Sequence, residues 1–188
     1  CSSFSSPRSS SSQTLAWSPD AASSSPASAV LGSVRWRADG QYFVSNNAST
    51  DRKLNLLHTW ERNGTLHATG QPVNAGAGLG AQCAYRPAGP LFACSQQLPN
   101  KHVVQFFERN GLPHGEFVIR DAGARVLALE WNAASDVLAL ALELASRAIV
   151  VQLWTTSNYH WYLKQQLQLA SDAESSECTL AALLWDPE

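Results

Sequence analysis

Residues 57–68 read LHTWERNGTLHA, and residues 104–115 read VQFFERNGLPHG. Each stretch has an aromatic residue followed by the tetrapeptide ERNG and, three residues later, a histidine; the two copies are 47 residues apart. Trp154 extends the aromatic position by a further 47 residues. A fixed period of about 40–50 residues is typical of proteins that repeat one supersecondary unit. The chain therefore contains an internal repeat.

A second marker has nearly the same period. Aromatic anchors at Trp36, Tyr85, Trp131 and Trp185 are 49, 46 and 54 residues apart. The first three are followed by turn residues and then by an apolar run, a pattern that predicts a hairpin between two strands. The motifs are VRWRADG at 34–40, CAYRPAG at 83–89, LEWNAASD at 129–136 and LLWDP at 183–187.

The apolar segments within each repeat favour strands over helices. They are four to eight residues long, rich in β-branched and aromatic residues, and separated by Gly, Pro and Asn. Helical repeats of similar period would need apolar residues at i, i+3, i+4 and i+7. Four short strands per repeat are the pattern of a propeller blade. We therefore predict an all-β fold, a partial WD40-like β-propeller with about three four-stranded antiparallel blades and the start of a fourth.

The domain organisation follows from composition and from the repeat. Residues 1–33 are rich in Ser, Ala and Pro, so we expect them to be largely disordered. Residues 34–188 form the partial propeller. The chain begins at Cys1, contains no Met, and stops within an anchor motif, so we expect it to be a piece of a longer protein. The predicted blades cover residues 34–73, 82–119 and 126–169, and a truncated blade opens at residue 180.

Particular side chains carry further predictions. Trp60, Phe107 and Trp154 end strand-like runs, and a flat ring there would fill the gap between adjacent blades. The Asn-Gly pairs of the ERNG copies predict tight hairpin turns with both residues at positive φ. The run NYHWYLK at 158–164 has four rings in succession. It is either an exposed binding patch or a strand that packs both of its faces.

Charge and cysteine content limit the partners and the compartment. The net charge of -2 provides no basic surface for nucleic acid, and we do not expect this segment to contact nucleic acid directly. No apolar run approaches the roughly 18 residues of a membrane helix. Four cysteines lack metal-ligand spacing, and Cys83 and Cys94 fall on neighbouring predicted strands. Small buried thiols in a reducing compartment, the cytosol or nucleus, are the simplest interpretation.

The sequence indicates no enzyme. It lacks a nucleophile elbow, an H-E-x-x-H zinc motif and a phosphate-binding P-loop, and GAGLG at 76–80 is interpreted as a connector between blades. We assign no catalytic, cofactor-binding or metal-binding residue. A propeller enzyme would need converging carboxylates or histidines, whereas the five histidines do not repeat as a ligand set. They are His58, His67, His102, His114 and His160.

Several stretches resemble a known family. VVQLWTTSNYHWYLKQ at 150–165 closely resembles a segment of the largest subunit of the Elongator complex, also called the IκB-kinase-complex-associated protein. VQFFERNGLPHG at 104–115 and VRWRADGQYF at 34–43 are similar to the same family in the same order. The resemblance extends over roughly residues 34–187, nearly all of the predicted propeller.

The resemblance implies a role that composition could not indicate. Family members have two N-terminal WD40-like propellers, then helical repeats and a dimerisation region, and this chain would lie in the first propeller. Their complex modifies the wobble uridine of certain tRNAs in the cytoplasm, and the chemistry belongs to another subunit. The implied function is a non-catalytic scaffold for the catalytic acetyltransferase subunit and a WD40 partner subunit. A generic WD40-like interaction module unrelated to tRNA modification is the alternative.

Overall fold

Three sheets make up the regular structure of the described residues. A computed structural model describes residues 32–46, 56–72, 79–169 and 179–186. Of the segment expected to be disordered, all but Gly32 and Ser33 lies outside the described residues. Regular structure in the described part consists of twelve strands. They are β1 (Val34–Trp36), β2 (Tyr42–Asn46), β3 (Leu57–Glu61), β4 (Leu66–Gly70), β5 (Leu79–Tyr85), β6 (Leu91–Gln97), β7 (His102–Glu108), β8 (Pro113–Ile119), β9 (Arg125–Trp131), β10 (Val137–Glu143), β11 (Ile149–Ser157) and β12 (His160–Gln168).

Each sheet is an antiparallel meander whose strands pair in chain order. We call β1–β4 the first blade, β5–β8 the second blade and β9–β12 the third blade. Opposite residues across a sheet come from the repeated motifs; Phe92 on β6, for example, pairs with Phe107 on β7. Sequential four-stranded meanders are the unit of a propeller. The predicted all-β, partial propeller fold is confirmed.

The hairpin that follows each aromatic anchor has the same geometry in all three blades. Its third loop residue takes a positive φ, 65° at Gly40, 95° at Gly89 and 66° at Ser135. The loop is closed by a backbone hydrogen bond that spans five residues, as from Arg37 N–H to the Tyr42 carbonyl at 2.9 Å. Gly suits this conformation because it has no Cβ to clash.

The ERNG hairpins correct one detail of the sequence prediction. Positive φ occurs at Gly64 (85°) and Gly111 (84°) but at neither preceding asparagine. The loops are three residues long, since Glu108 N–H donates to the Leu112 carbonyl, a geometry whose last loop residue is left-handed. The asparagine side chain stabilises the turn instead: Asn110 Oδ1 accepts the Leu112 N–H at 3.0 Å.

The core lies between the blades. Phe107 is fully buried between the first and second blades and stacks on Phe92, with ring centroids 5.6 Å apart. Trp154 of the third blade stacks on Phe117 of the second at 4.2 Å. Truncating such buried rings to alanine typically costs about 3–5 kcal/mol. These two aromatics fill the gaps between blades, as their sequence positions predict.

Trp60 occupies the same repeat position but a different environment. On β2 and β3, Val44 and Thr59 face the second blade, so Phe43 and Trp60 project from the opposite face of the sheet. Trp36 lies 4.7 Å from Phe43 on that face and is 52% exposed. No described strand covers this aromatic face. The prediction that Trp60 lies between blades is therefore not met within the described residues.

The end of the described chain runs along the third blade. Residues 179–186 contain no strand. Trp185, the anchor of the predicted fourth blade, donates its indole N–H to the Glu130 carbonyl on β9 at 3.1 Å. This contact places the fourth anchor next to the innermost strand of the third blade.

We predict that the isolated 188-residue chain self-associates, because the face of the first blade that carries Trp36, Phe43 and Trp60 leaves apolar surface uncovered. A Trp36→Lys variant should shift the chain toward monomer in size-exclusion chromatography with light scattering. Tyr159→Lys is the control, because Tyr159 is 101% exposed at a hairpin tip, away from that face. A monomeric parent chain with a sharp, reversible thermal transition would contradict the prediction.

The turn glycines give a second prediction, tested by urea unfolding in the Trp36→Lys background. A Cβ at Gly111 would lie 2.6 Å from the Thr69 carbonyl oxygen of the first blade. A Cβ at Gly89 would meet nothing within 4 Å, although φ is positive at both residues. Gly89→Ala should cost about 1–2 kcal/mol from the left-handed backbone alone. Gly111→Ala should cost about 1–3 kcal/mol more, since the blades must also shift apart; equal losses would show that the contact is unimportant.

Candidate interaction surface

An ion pair joins the innermost strands of the first and third blades. Arg35 on β1 places Nη2 2.8 Å from Oε1 of Glu130 on β9. Burial raises the pKa of the Glu130 carboxyl, and the Arg35 guanidinium lowers it in part. The Arg35 Nε is buried and has no hydrogen-bond partner. Because β1 and β9 belong to different sheets, this ion pair links the first blade to the third across the inner edge of the second.

Two cysteines lie in the same region, and the charges of Arg35 and Glu130 both act on the thiol of Cys83. Cys83 and Cys94 are opposite each other on β5 and β6, and both are free and fully buried. The Ser33 hydroxyl is 2.9 Å from the Cys83 sulfur. Burial raises the pKa of Cys83 to about 11 and that of Cys94 well above its ordinary value. Both are protonated packing residues at neutral pH, as the sequence led us to expect.

The ring-rich run at 158–164 divides between core and surface. Trp161 stacks on Phe106 of the second blade at 4.6 Å and 9°, and Leu163 packs against the same cluster. Tyr159 forms the tip of the β11–β12 turn and is 101% exposed, and its φ of 67° is unusual for a bulky residue. Alternate residues of the run thus pack against the second blade, while the hairpin tip remains open to a partner.

The histidines belong to local networks rather than to a shared site. His114 Nδ1 lies 3.2 Å from Glu108, and His67 Nδ1 lies 3.7 Å from Glu61. The repeated histidine therefore contacts the glutamate of its own ERNG turn. Burial lowers the pKa of His58. His102 Nδ1 lies 3.0 Å from the Ala124 carbonyl, and His160 is exposed.

Within residues 32–46, 56–72, 79–169 and 179–186, no group of three or more His, Cys, Asp or Glu side chains is placed to hold a metal ion. The same part of the chain has no helix long and apolar enough to span a membrane.

Sequence reasoning missed the charged side chains that cross between blades. Arg35 reaches the third blade, and Arg109 lies with its guanidinium 4.6 Å from the ring centroid of Tyr42 on the first blade. A signal was present: an arginine follows the anchor in both Trp36-Arg37 and Tyr85-Arg86 and recurs in both ERNG copies. Its targets could not be inferred because they depend on how the sheets stack.

Sequential four-stranded meanders that stack through aromatic rings define this chain as a β-propeller repeat protein. The model of the ELP1 first N-terminal beta-propeller matches residues 5–188. The chain belongs to the Elongator complex protein 1 family.

Individual relatives agree with this assignment. The chain is 39% identical to Elongator complex protein 1 of Mus musculus over 163 residues, covering 82% of this chain and 12% of that protein. It is 36% identical to the Saccharomyces cerevisiae protein over 170 residues, covering 82% of this chain and 11% of that one. The chain thus spans about an eighth of the length of such relatives. A solved structure from a study of two prolyl endopeptidases is similar in fold alone, with a TM-score of 0.51 and 9% identity over 76% of this chain and 21% of that one.

The Arg35–Glu130 pair predicts a pH-dependent stability. Burial raises the pKa of Glu130 in the folded state above its value in the unfolded state. The free energy of unfolding that this carboxyl contributes is therefore complete below the unfolded pKa and is lost as pH rises through the folded pKa, because the buried carboxyl must then become charged. Arg35→Met should move that folded pKa higher, so the variant should lose more stability at pH 7.5 than at pH 5.

The measurement is hydrogen exchange of the β1 and β9 amides at the two pH values, in full-length protein carrying this segment. Arg125→Met is the control, because Arg125 holds the pKa of the half-buried Glu143 below its ordinary value rather than above it. Equal destabilisation by Arg35→Met at both pH values would argue against the assignment.

Proposed function

We propose that this chain is a non-catalytic scaffold segment of the Elongator complex that supports tRNA wobble-uridine (U34) modification through subunit assembly. The observation that carries the proposal is the match of residues 5–188 to the first N-terminal propeller of the family. Relatives with 36–39% identity bear the name Elongator complex protein 1. A subunit that holds others in place needs rigid, repeated surfaces, and stacked blades supply them.

The proposed partners are the catalytic acetyltransferase subunit and the WD40 partner subunit, with homodimer formation through regions outside this segment. Direct tRNA contact by this segment is not part of the proposal, since its net charge is -2. We propose the cytoplasm as its compartment, with the nucleus as a second location. No cofactor is proposed.

The test uses full-length protein carrying this segment, expressed in cells that lack their own Elongator complex protein 1. Phe106→Asp places a charge between the second and third blades, where Phe106 is 1% exposed, and should disrupt both. Recovery of the other subunits by co-purification and wobble-uridine modification by tRNA mass spectrometry should fall together, by about tenfold or more. Modification per recovered catalytic subunit should stay constant, as expected for assembly rather than chemistry.

The matched control is Arg120→Gln, which changes an exposed side chain on the loop after β8. It should leave subunit recovery and modification unchanged. If Phe106→Asp abolished modification while the complex stayed complete, a direct role in the reaction would replace the scaffold. If neither quantity changed although proteolysis showed the blades unfolded, a generic interaction module would be favoured.

A further inference from the structure

We infer that the notch between the first and second blades, on the side of the ERNG turns, binds a carboxylate side chain of an acidic protein segment. We call this site the Arg109 notch and define it by Arg37, Asp39, Tyr42, Tyr85 and Arg109. It lies where the first-blade hairpin at 37–42 meets the end of β5 and the ERNG turn of the second blade. The inference goes beyond the scaffold role, because it assigns a ligand chemistry to two polar groups that have no partner among the described residues, the Tyr85 hydroxyl and the Arg37 Nε.

Two buried donors in the notch lack partners within the protein. Tyr85 is 6% exposed, and its hydroxyl has no hydrogen-bond partner among the described residues. The Arg37 Nε is likewise buried and unsatisfied. A buried polar group without a partner typically costs about 1–3 kcal/mol, so both donors are suited to an acceptor supplied from outside.

The notch also has surplus positive charge. Arg37 pairs with Asp39 at 3.3 Å, whereas Arg109 makes no ion pair with any described residue and lies over the Tyr42 ring at 4.6 Å. Both guanidinium groups are close enough to the Tyr85 hydroxyl to lower its pKa, although burial raises it overall. One unneutralised guanidinium beside one free hydroxyl donor matches a single carboxylate.

The next interface of the same repeat provides an internal comparison. There Arg86, equivalent to Arg37, lies over Trp131 and donates its Nε–H to the Ser135 carbonyl at 2.8 Å. The position equivalent to Ser135 in the second blade is Gly89, and Arg37 makes no such bond. The protein therefore satisfies this arginine at one interface and leaves it unsatisfied at the other.

A depression beside the notch has room for the rest of a docking segment. It has a volume of about 600 Å³ and shares the Tyr42 ring. Its lining contains one acidic residue, Glu61, and one basic residue, Arg62, so it has no net positive charge to hold a continuous phosphate backbone. A peptide has a neutral backbone and can turn one carboxylate into the notch while its other side chains point to solvent. For this reason we favour an acidic protein segment over RNA.

The test measures binding of fluorescein-labelled hexaglutamate to full-length protein carrying this segment, by fluorescence anisotropy at low salt. Hexaglutamine and hexauridylate of the same length are the comparison probes. Hexaglutamate should bind more tightly than either. Arg109→Gln should weaken hexaglutamate binding about tenfold, the effect of losing one charge-assisted hydrogen bond. Arg120→Gln, the exposed control, should change it by less than about twofold.

Tyr85→Phe separates a ligand contact from a structural role. The variant should weaken hexaglutamate binding about threefold to tenfold, yet hydrogen exchange of the β5 amides should become slower because an unsatisfied hydroxyl has been removed. A structural hydroxyl would give faster exchange instead. Unchanged binding by Arg109→Gln, absence of hexaglutamate binding, or tighter binding of hexauridylate would each overturn the inference. Absence of hexaglutamate binding together with intact wobble-uridine modification would overturn this inference and leave the scaffold proposal standing.

Discussion

The middle strands of the second and third blades are apolar on both faces, and such a strand is stable only when both faces are covered. Strand β7 is buried at six successive residues and β10 likewise, since each belongs to a blade that packs on a neighbour. In the first blade, β3 alternates between buried and half-buried positions. Because burial of aromatic and aliphatic surface is the main stabilising term in folding, a blade acquires its stability from the stack rather than from its own strands.

This constraint determines where polar groups can be placed. Along the inner edge, Arg35 and Glu130 neutralise each other across the second blade, and the thiols of Cys83 and Cys94 remain protonated because water is excluded. Along the turn side, Arg86 finds a backbone acceptor, whereas Arg37 does not. Equivalent arginines at the edges of the two blade interfaces therefore differ: one is hydrogen-bonded within the protein and the other is not. These edges are also where a partner would find donors that the fold leaves unused.

Most of the fold could be predicted from the repeat of about 47 residues in the sequence. Four short strands per repeat, antiparallel pairing and the positions of Phe107 and Trp154 follow from spacing, because identical local patterns produce identical hairpins. The turn chemistry was only partly predicted: the glycine of each ERNG copy is left-handed, but the asparagine is not, since a three-residue loop uses its side chain as an acceptor. The left-handed pair lies instead at Asn158 and Tyr159, where no glycine marks it.

The sequence by itself determined the class of fold, the family and the repeat position of every anchor, because these depend on local pattern and pairwise spacing. Only the tertiary structure decided which equivalent residues differ in environment. Trp60 and Phe107 occupy one repeat position, yet Phe107 is buried by a neighbouring blade and Trp60 is not. Arg37 and Arg86 occupy another, and only Arg86 bonds to the next blade. Such differences arise from contacts between sheets, which bring together residues about 50 to 100 positions apart, as Arg86 to Ser135 and Arg35 to Glu130 show.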